Sequence, residues 1–115
     1  MQINILQDSK FYAIALKGDL DAGSSILLDN AIEEAIKLGE KYILINCIEL
    51  DYIASAGLGV FMSYLQEFDE KKITMVVYGL QNKVLNVFQI LGLDQLINIA
   101  SSEEEAKNLN HDIQV

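Results

Sequence analysis

The residues best placed to do chemistry lie in the run Ile53-Ala54-Ser55-Ala56-Gly57-Leu58-Gly59. One hydroxyl stands between two alanines and ahead of two glycines, so another backbone can approach it closely. Ser55 falls where an apolar strand and its loop hand over to a helical stripe, and two roles are open to it there. It can cap the helix, its oxygen accepting from the free amides of the first turn. Or it can accept a phosphate, which at a helix N-terminus meets those amides and the positive end of the dipole. A phosphate adds about −1.5 to −2 charges to a small, neutral surface. A partner packed on Ala54, Ser55, Ala56 and Gly57 would then be expelled while the fold stayed as it was. Glycine in a helix interior costs roughly 1 kcal/mol against alanine. Two of them near this helix start therefore ask for a reason, either a tight junction or a contact surface.

Other chemistries find no residues to carry them. The single histidine, His111, reads as a solvated surface residue near the end of the sequence, and leaves a nucleophilic serine without a base. Cys47 is the only cysteine and sits in an apolar run, which reads as a buried free thiol in a reducing compartment. No cysteine and histidine spacing suits zinc, and the glycine-rich phosphate loops GxxxxGK[ST] and GxGxxG are absent. Asp19 and Asp21 are close in sequence, but one such pair does not make an acid–base site. The reading is a protein that is not an enzyme and holds no metal or cofactor of its own. A small anion held at the amide-rich turn is the remaining chemical alternative, without arginine or a metal to help it.

Charge narrows the partners. The 115 residues carry a net charge of −9, with eight lysines and no arginine. Nucleic acid and anionic membrane both demand clustered cations, so neither is expected as a direct partner. No apolar run approaches the ~18 residues of a membrane span, and MQINILQDSK has no secretion-signal pattern. A soluble, cytoplasmic, single domain over residues 1–115 is expected.

The elements that position Ser55 follow from the hydrophobic pattern. Residues 2–7 alternate, a half-exposed strand whose Gln2, Asn4 and Gln7 discourage edge pairing. After a turn at Asp8-Ser9-Lys10, the apolar run Phe11 to Leu16 makes a hairpin with it. A helix over about 23–38 carries Leu28, Ala31, Ile32, Ala35 and Ile36 and ends at Gly39. Tyr42 to Ile45 reads as a strand covered on both faces. A second helix runs to about 70 on the stripe Leu58, Phe61, Met62, Leu65 and Phe68, with Tyr64 partly exposed beside it. Strand Ile73 to Tyr78, a helix over about 81–91, strand Leu96 to Ile99 and a last helix with Ala106, Leu109 and Ile113 complete the order ββαβαβαβα. The fold class is α/β: a mixed, mostly parallel sheet of four to five strands, an N-terminal antiparallel hairpin and about four helices. Functional loops of such sheets lie at the carboxyl ends of strands, here 18–24 and 47–57. Tyr52, in the second loop, reads as packing or docking, with packing favoured.

At these residues the sequence resembles a known family. Asp51-Tyr52-Ile53-Ala54-Ser55-Ala56-Gly57-Leu58-Gly59-Val60 is similar to the central signature of STAS domains, most of all the stand-alone bacterial anti-sigma factor antagonists. Gly18-Asp19-Leu20-Asp21 resembles their second signature, and the element order matches over nearly the whole chain. The resemblance implies a regulator of transcription that binds an anti-sigma factor, itself a serine kinase, and so frees a sigma factor. It implies that the kinase phosphorylates Ser55 to switch binding off, that a PP2C-type phosphatase restores it, and that Asp21 lies near the switch. ATP and Mg²⁺ would belong to the kinase. The contact surface would include Asp21, Ala54, Ser55, Ala56, Gly57, Leu58 and Gly59. The family's usual run is aspartate–serine–serine–glycine. Here Ala54 replaces the aspartate and Ala56 the second serine, leaving Ser55 as the unambiguous acceptor. The alternative the resemblance carries is a non-switched subunit of a larger complex, such as a transporter-associated assembly.

Overall fold

The computed structural model describes the backbone of residues 1–114 and the side chains of residues 1–109. Five strands form one sheet in the order β1-β2-β3-β4-β5. They are β1 (Gln2–Gln7), β2 (Tyr12–Leu20), β3 (Tyr42–Ile53), β4 (Thr74–Tyr78) and β5 (Asn98–Ala100). β1 runs antiparallel to β2, and every other neighbour pair is parallel. The helices are α1 (Ser25–Lys37), α2 (Ser55–Ser63), α3 (Leu65–Lys71), α4 (Asn82–Ile90) and α5 (Glu103–Gln114). This is the expected mixed sheet with its N-terminal hairpin.

Strand alternation divides the core in two. On one face Tyr12, Ile14 and Leu16 of β2 and Ile43, Ile45 and Cys47 of β3 meet Leu28 and Ile32 of α1, Phe61 of α2, Phe68 of α3 and Phe88 of α4. On the other, Leu44, Val76, Tyr78 and Ala100 lie under Ala106 of α5, with Leu109 packed against them. Ile113, the last expected stripe position, and His111 lie outside the described side chains.

Several boundaries move for identifiable reasons. β2 and β3 run to Leu20 and Ile53, so most of the two expected strand-end loops is strand. Their pairing slips between Ala15 and Lys17 and again between Gly18 and Asp19. Such bulges break the period-two signal that would have marked a long strand. Gly18, at φ +99°, takes one of these kinks. The second helix is broken at Tyr64 into α2 and α3. A 3₁₀ turn over Leu93–Gln95 delays the last strand to Asn98. Among the described residues no helix is long and apolar enough to cross a membrane.

Candidate functional site

Leu20 and Ile53 sit side by side at the carboxyl ends of β2 and β3. One residue on, the Ala54 amide donates to the Leu20 carbonyl at 2.8 Å, the last link before the chain turns into α2. Ala54 has φ −86° and ψ 167° and holds the N-cap position. The Leu58 amide closes the first turn onto its carbonyl at 3.1 Å. An alanine offers no side-chain acceptor, so the amides of Ser55, Ala56 and Gly57 lack a capping group. Ser55 is the first helical residue and not the cap, which removes the capping role open to it in sequence. Its side chain is exposed, and among the described residues its hydroxyl makes no hydrogen bond.

The phase of α2 is set by Gly57. A Cβ there would lie 2.8 and 2.9 Å from Leu20 Cδ2 and Cγ, and 3.1 Å from Ile53 Cγ1. The bare glycine lets the helix settle onto Leu20. The buried side then runs Gly57, Leu58, Phe61, Tyr64 and Phe68. This rotates the expected stripe: Met62 is 48% exposed, while Tyr64 is buried at 4%. The Tyr64 hydroxyl is satisfied inside, 2.6 Å from Asp29 Oδ1 and 2.8 Å from Glu33 Oε1 of α1. Burial, then these two carboxylates, push its pKa far up. Its ring stacks on Phe68 at 5.5 Å.

The outward side of α2 is therefore Ser55, Ala56, Gly59, Met62 and Ser63. At Gly59 an added Cβ would meet nothing within 4 Å. Of the expected contact residues, Asp21, Ser55, Ala56 and Gly59 are exposed and Ala54 is half-buried. Gly57 and Leu58 face the core. Tyr52 is 53% exposed, against the favoured packing role. Ile26 and Leu27, in the first turn of α1, are exposed too, and were not singled out in sequence. The helix phase fixed by a central glycine was the signal that could have found Met62.

The turn Asp21–Ser24 leads into α1 from the end of β2. The Ser24 amide and hydroxyl each donate to Asp21 Oδ1 at 2.8 Å, and the Asp21 amide donates to Ser24 Oγ at 2.9 Å. The bonds from Ser24, its amide first, hold the Asp21 carboxyl below the usual range. Asp21 thus presents an ionised, fixed carboxylate, and among the described residues no hydrogen bond joins it to Ser55. Cys47, fully buried, has its thiol pushed up to about 12 by desolvation, which makes it inert at neutral pH. Among the described residues no cluster of three metal-ligating side chains occurs.

The model of the STAS domain matches residues 2–106. An anti-sigma-B factor antagonist from Listeria monocytogenes is 29% identical over 105 residues, covering 90% of this chain and 91% of its own. Among solved structures, an anti-sigma factor antagonist from Mycobacterium paratuberculosis superposes with a TM-score of 0.86 at 13% identity, covering 96% of this chain and 94% of that one. The Bacillus cell fate determinant SpoIIAA in its phosphorylated form gives 0.72 at 24% identity, covering 93% and 97%. At these identities the structures speak to the fold.

Proposed function

The chain belongs to the STAS domain family, and from that premise we propose that it is an anti-sigma factor antagonist switched off by phosphorylation of Ser55. Its partner is an anti-sigma factor that is also a serine kinase, and binding it releases a sigma factor. The kinase transfers the γ-phosphoryl of ATP to Ser55 Oγ, with ADP and a proton released. A PP2C-type phosphatase hydrolyses the ester and restores binding. Both reactions take place in the cytoplasm.

One observation carries this reading: the Ser55 hydroxyl is exposed and, among the described residues, unbonded, on a helix face that also carries Ala56 and Gly59. A nucleophile already tied into the fold would have to break a bond to react. This one has none to break. The flat surface of Ala56 and Gly59 lets a partner backbone come close, with Met62 and Tyr52 as apolar anchors at its edge. A dianion at Ser55 in the middle of that contact would have to be desolvated, and near Asp21 it would meet like charge. Such juxtapositions cost several kcal/mol. The relatives named as anti-sigma-B factor antagonists support the partner class.

The test is to incubate the protein with ATP, Mg²⁺ and an anti-sigma factor serine kinase of its own organism, then locate phosphate by mass spectrometry. Phosphate on Ser55 alone, absent from Ser55→Ala, is the expected result. Phosphate elsewhere that persists in Ser55→Ala contradicts the reading. Stable co-purification with a membrane transporter complex, unaffected by Ser55→Asp, would favour the non-switched subunit instead.

A further inference from the structure

The outer edge of the sheet is unguarded. β1 pairs with β2 through six consecutive residues without a register shift, unlike the doubly bulged β2–β3 pair. Among the described residues no strand pairs with its other side, which leaves a row of edge amides and carbonyls. Edge strands are protected by charge, proline, bulges or covering elements. The segment Gln2-Ile3-Asn4-Ile5-Leu6-Gln7 has no charged residue and no proline, and every residue of it but Ile3 is exposed. Ile5 is 45% and Leu6 71% exposed. The glutamines and asparagine, which in sequence discourage pairing, are uncharged and do not repel a neighbouring strand.

We propose that β1 is a self-pairing edge, through which two copies of this chain join antiparallel about a two-fold axis at Asn4. The strand is self-complementary in that register. A two-fold perpendicular to a sheet requires facing residues to share a side, so the pairing must centre on a residue. Centred on Asn4, it sets Ile3 of each copy opposite Ile5 of the other. These lie on the face of the sheet that carries α1, where Ile3 already packs against the core. On the opposite face the two Asn4 amides meet at the axis, and each Leu6 lies against the aliphatic stem of a Gln2. Two apolar cross-strand pairs and the added backbone bonds favour a modest, reversible dimer. The ten-stranded sheet uses no residue of the Ser55 site.

Charge makes a distinguishing demand. Each copy carries −9, none of it in the pairing strand, so the electrostatic term is repulsion at a distance. Salt screens such repulsion over about 8 Å at physiological strength. The dimer therefore tightens as salt is raised, the opposite of an ion-paired interface.

Sedimentation velocity over a concentration series, at low and high salt, tests this. A monomer–dimer equilibrium shifting toward dimer in high salt is expected. Asn4→Lys, an exposed change that sets two like charges at the axis, is expected to weaken it at least tenfold with the circular dichroism spectrum unchanged. Asn4→Cys is expected to form a disulfide-linked dimer on mild oxidation, because facing strand residues fall within bridging distance. Gln2→Cys, facing Leu6, is expected to cross-link far more slowly. A monomer at every concentration and salt level overturns the proposal. So does a dimer indifferent to Asn4→Lys, or one that cross-links through Gln2→Cys as readily as through Asn4→Cys.

Discussion

A methyl added at Gly57 would lie 2.8 Å from Leu20 Cδ2, whereas one added at Gly59 would touch nothing within 4 Å. The two glycines, two residues apart on one helix, thus answer to different demands. Gly57 is required by the fold, since its Cβ would push α2 off the end of β2. Gly57→Ala is expected to lower stability by about 1–3 kcal/mol, the range for overpacking a filled site, measured by urea denaturation. Gly59 meets no such limit, and alanine there should stabilise the helix by up to about 1 kcal/mol. If Gly59 is kept bare for a partner's backbone, Gly59→Ala stabilises the protein and weakens binding together. A variant that is more stable and binds as well as the parent would remove Gly59 from the contact. Both glycines and Ser55 stand out in sequence as a cluster. Their division of labour does not, because it depends on Leu20, which reaches them only through strand pairing. The same holds for Ser55: its position one residue inside the helix, with Ala54 at the cap, is a matter of backbone angles that residue types alone leave open.

Tyr64 shows how elements constrain one another. It stands at the break between α2 and α3, and its hydroxyl is held by Asp29 and Glu33 of α1. This ties α2 to its neighbour by a part-buried, charge-assisted bond, a class worth about 1.5–3 kcal/mol. Tyr64→Phe keeps the stacking on Phe68 and is expected to lose stability within that range, by thermal or urea melts. No loss would mean that the bond exchanges evenly with water. A stripe phased on large apolar residues predicts Tyr64 partly exposed and Met62 buried. The structure phases it on Gly57, whose lack of bulk is what turns that side inward. Elements with clean periodicity were legible: the first hairpin, α1, β4 and α4. The apolar run predicts only Tyr42 to Ile45 for β3, which has twelve residues, since its bulges scramble the alternation from Glu49 onward. The lesson is physical. Period counting finds regular segments, and it fails where register slips or a helix breaks.

For the molecule as a whole, burial of phenols predicts an alkaline limit to stability. Desolvation raises the pKa of Tyr12 and Tyr64, and takes that of Tyr78 to about 12. An exposed tyrosine ionises near pH 10. The folded state thus holds protons that the unfolded state releases above about pH 10. Stability is full below that pH and falls as pH rises through the folded-state values. Urea denaturation at stepped pH is expected to show a declining midpoint from about pH 10 upward, with a shallower decline in Tyr64→Phe. The net charge of −9 adds self-repulsion, which salt relieves. The ionisation of the phenols does not reach neutral pH, where the proposed switch would work. There the proposed function rests on a change of surface with the fold kept, and one titration reads it: calorimetric binding of the anti-sigma kinase to the unmodified protein and to the same protein phosphorylated at Ser55. The prediction is at least a tenfold loss of affinity on phosphorylation with an unchanged circular dichroism spectrum, and equal affinities for the two forms would contradict it.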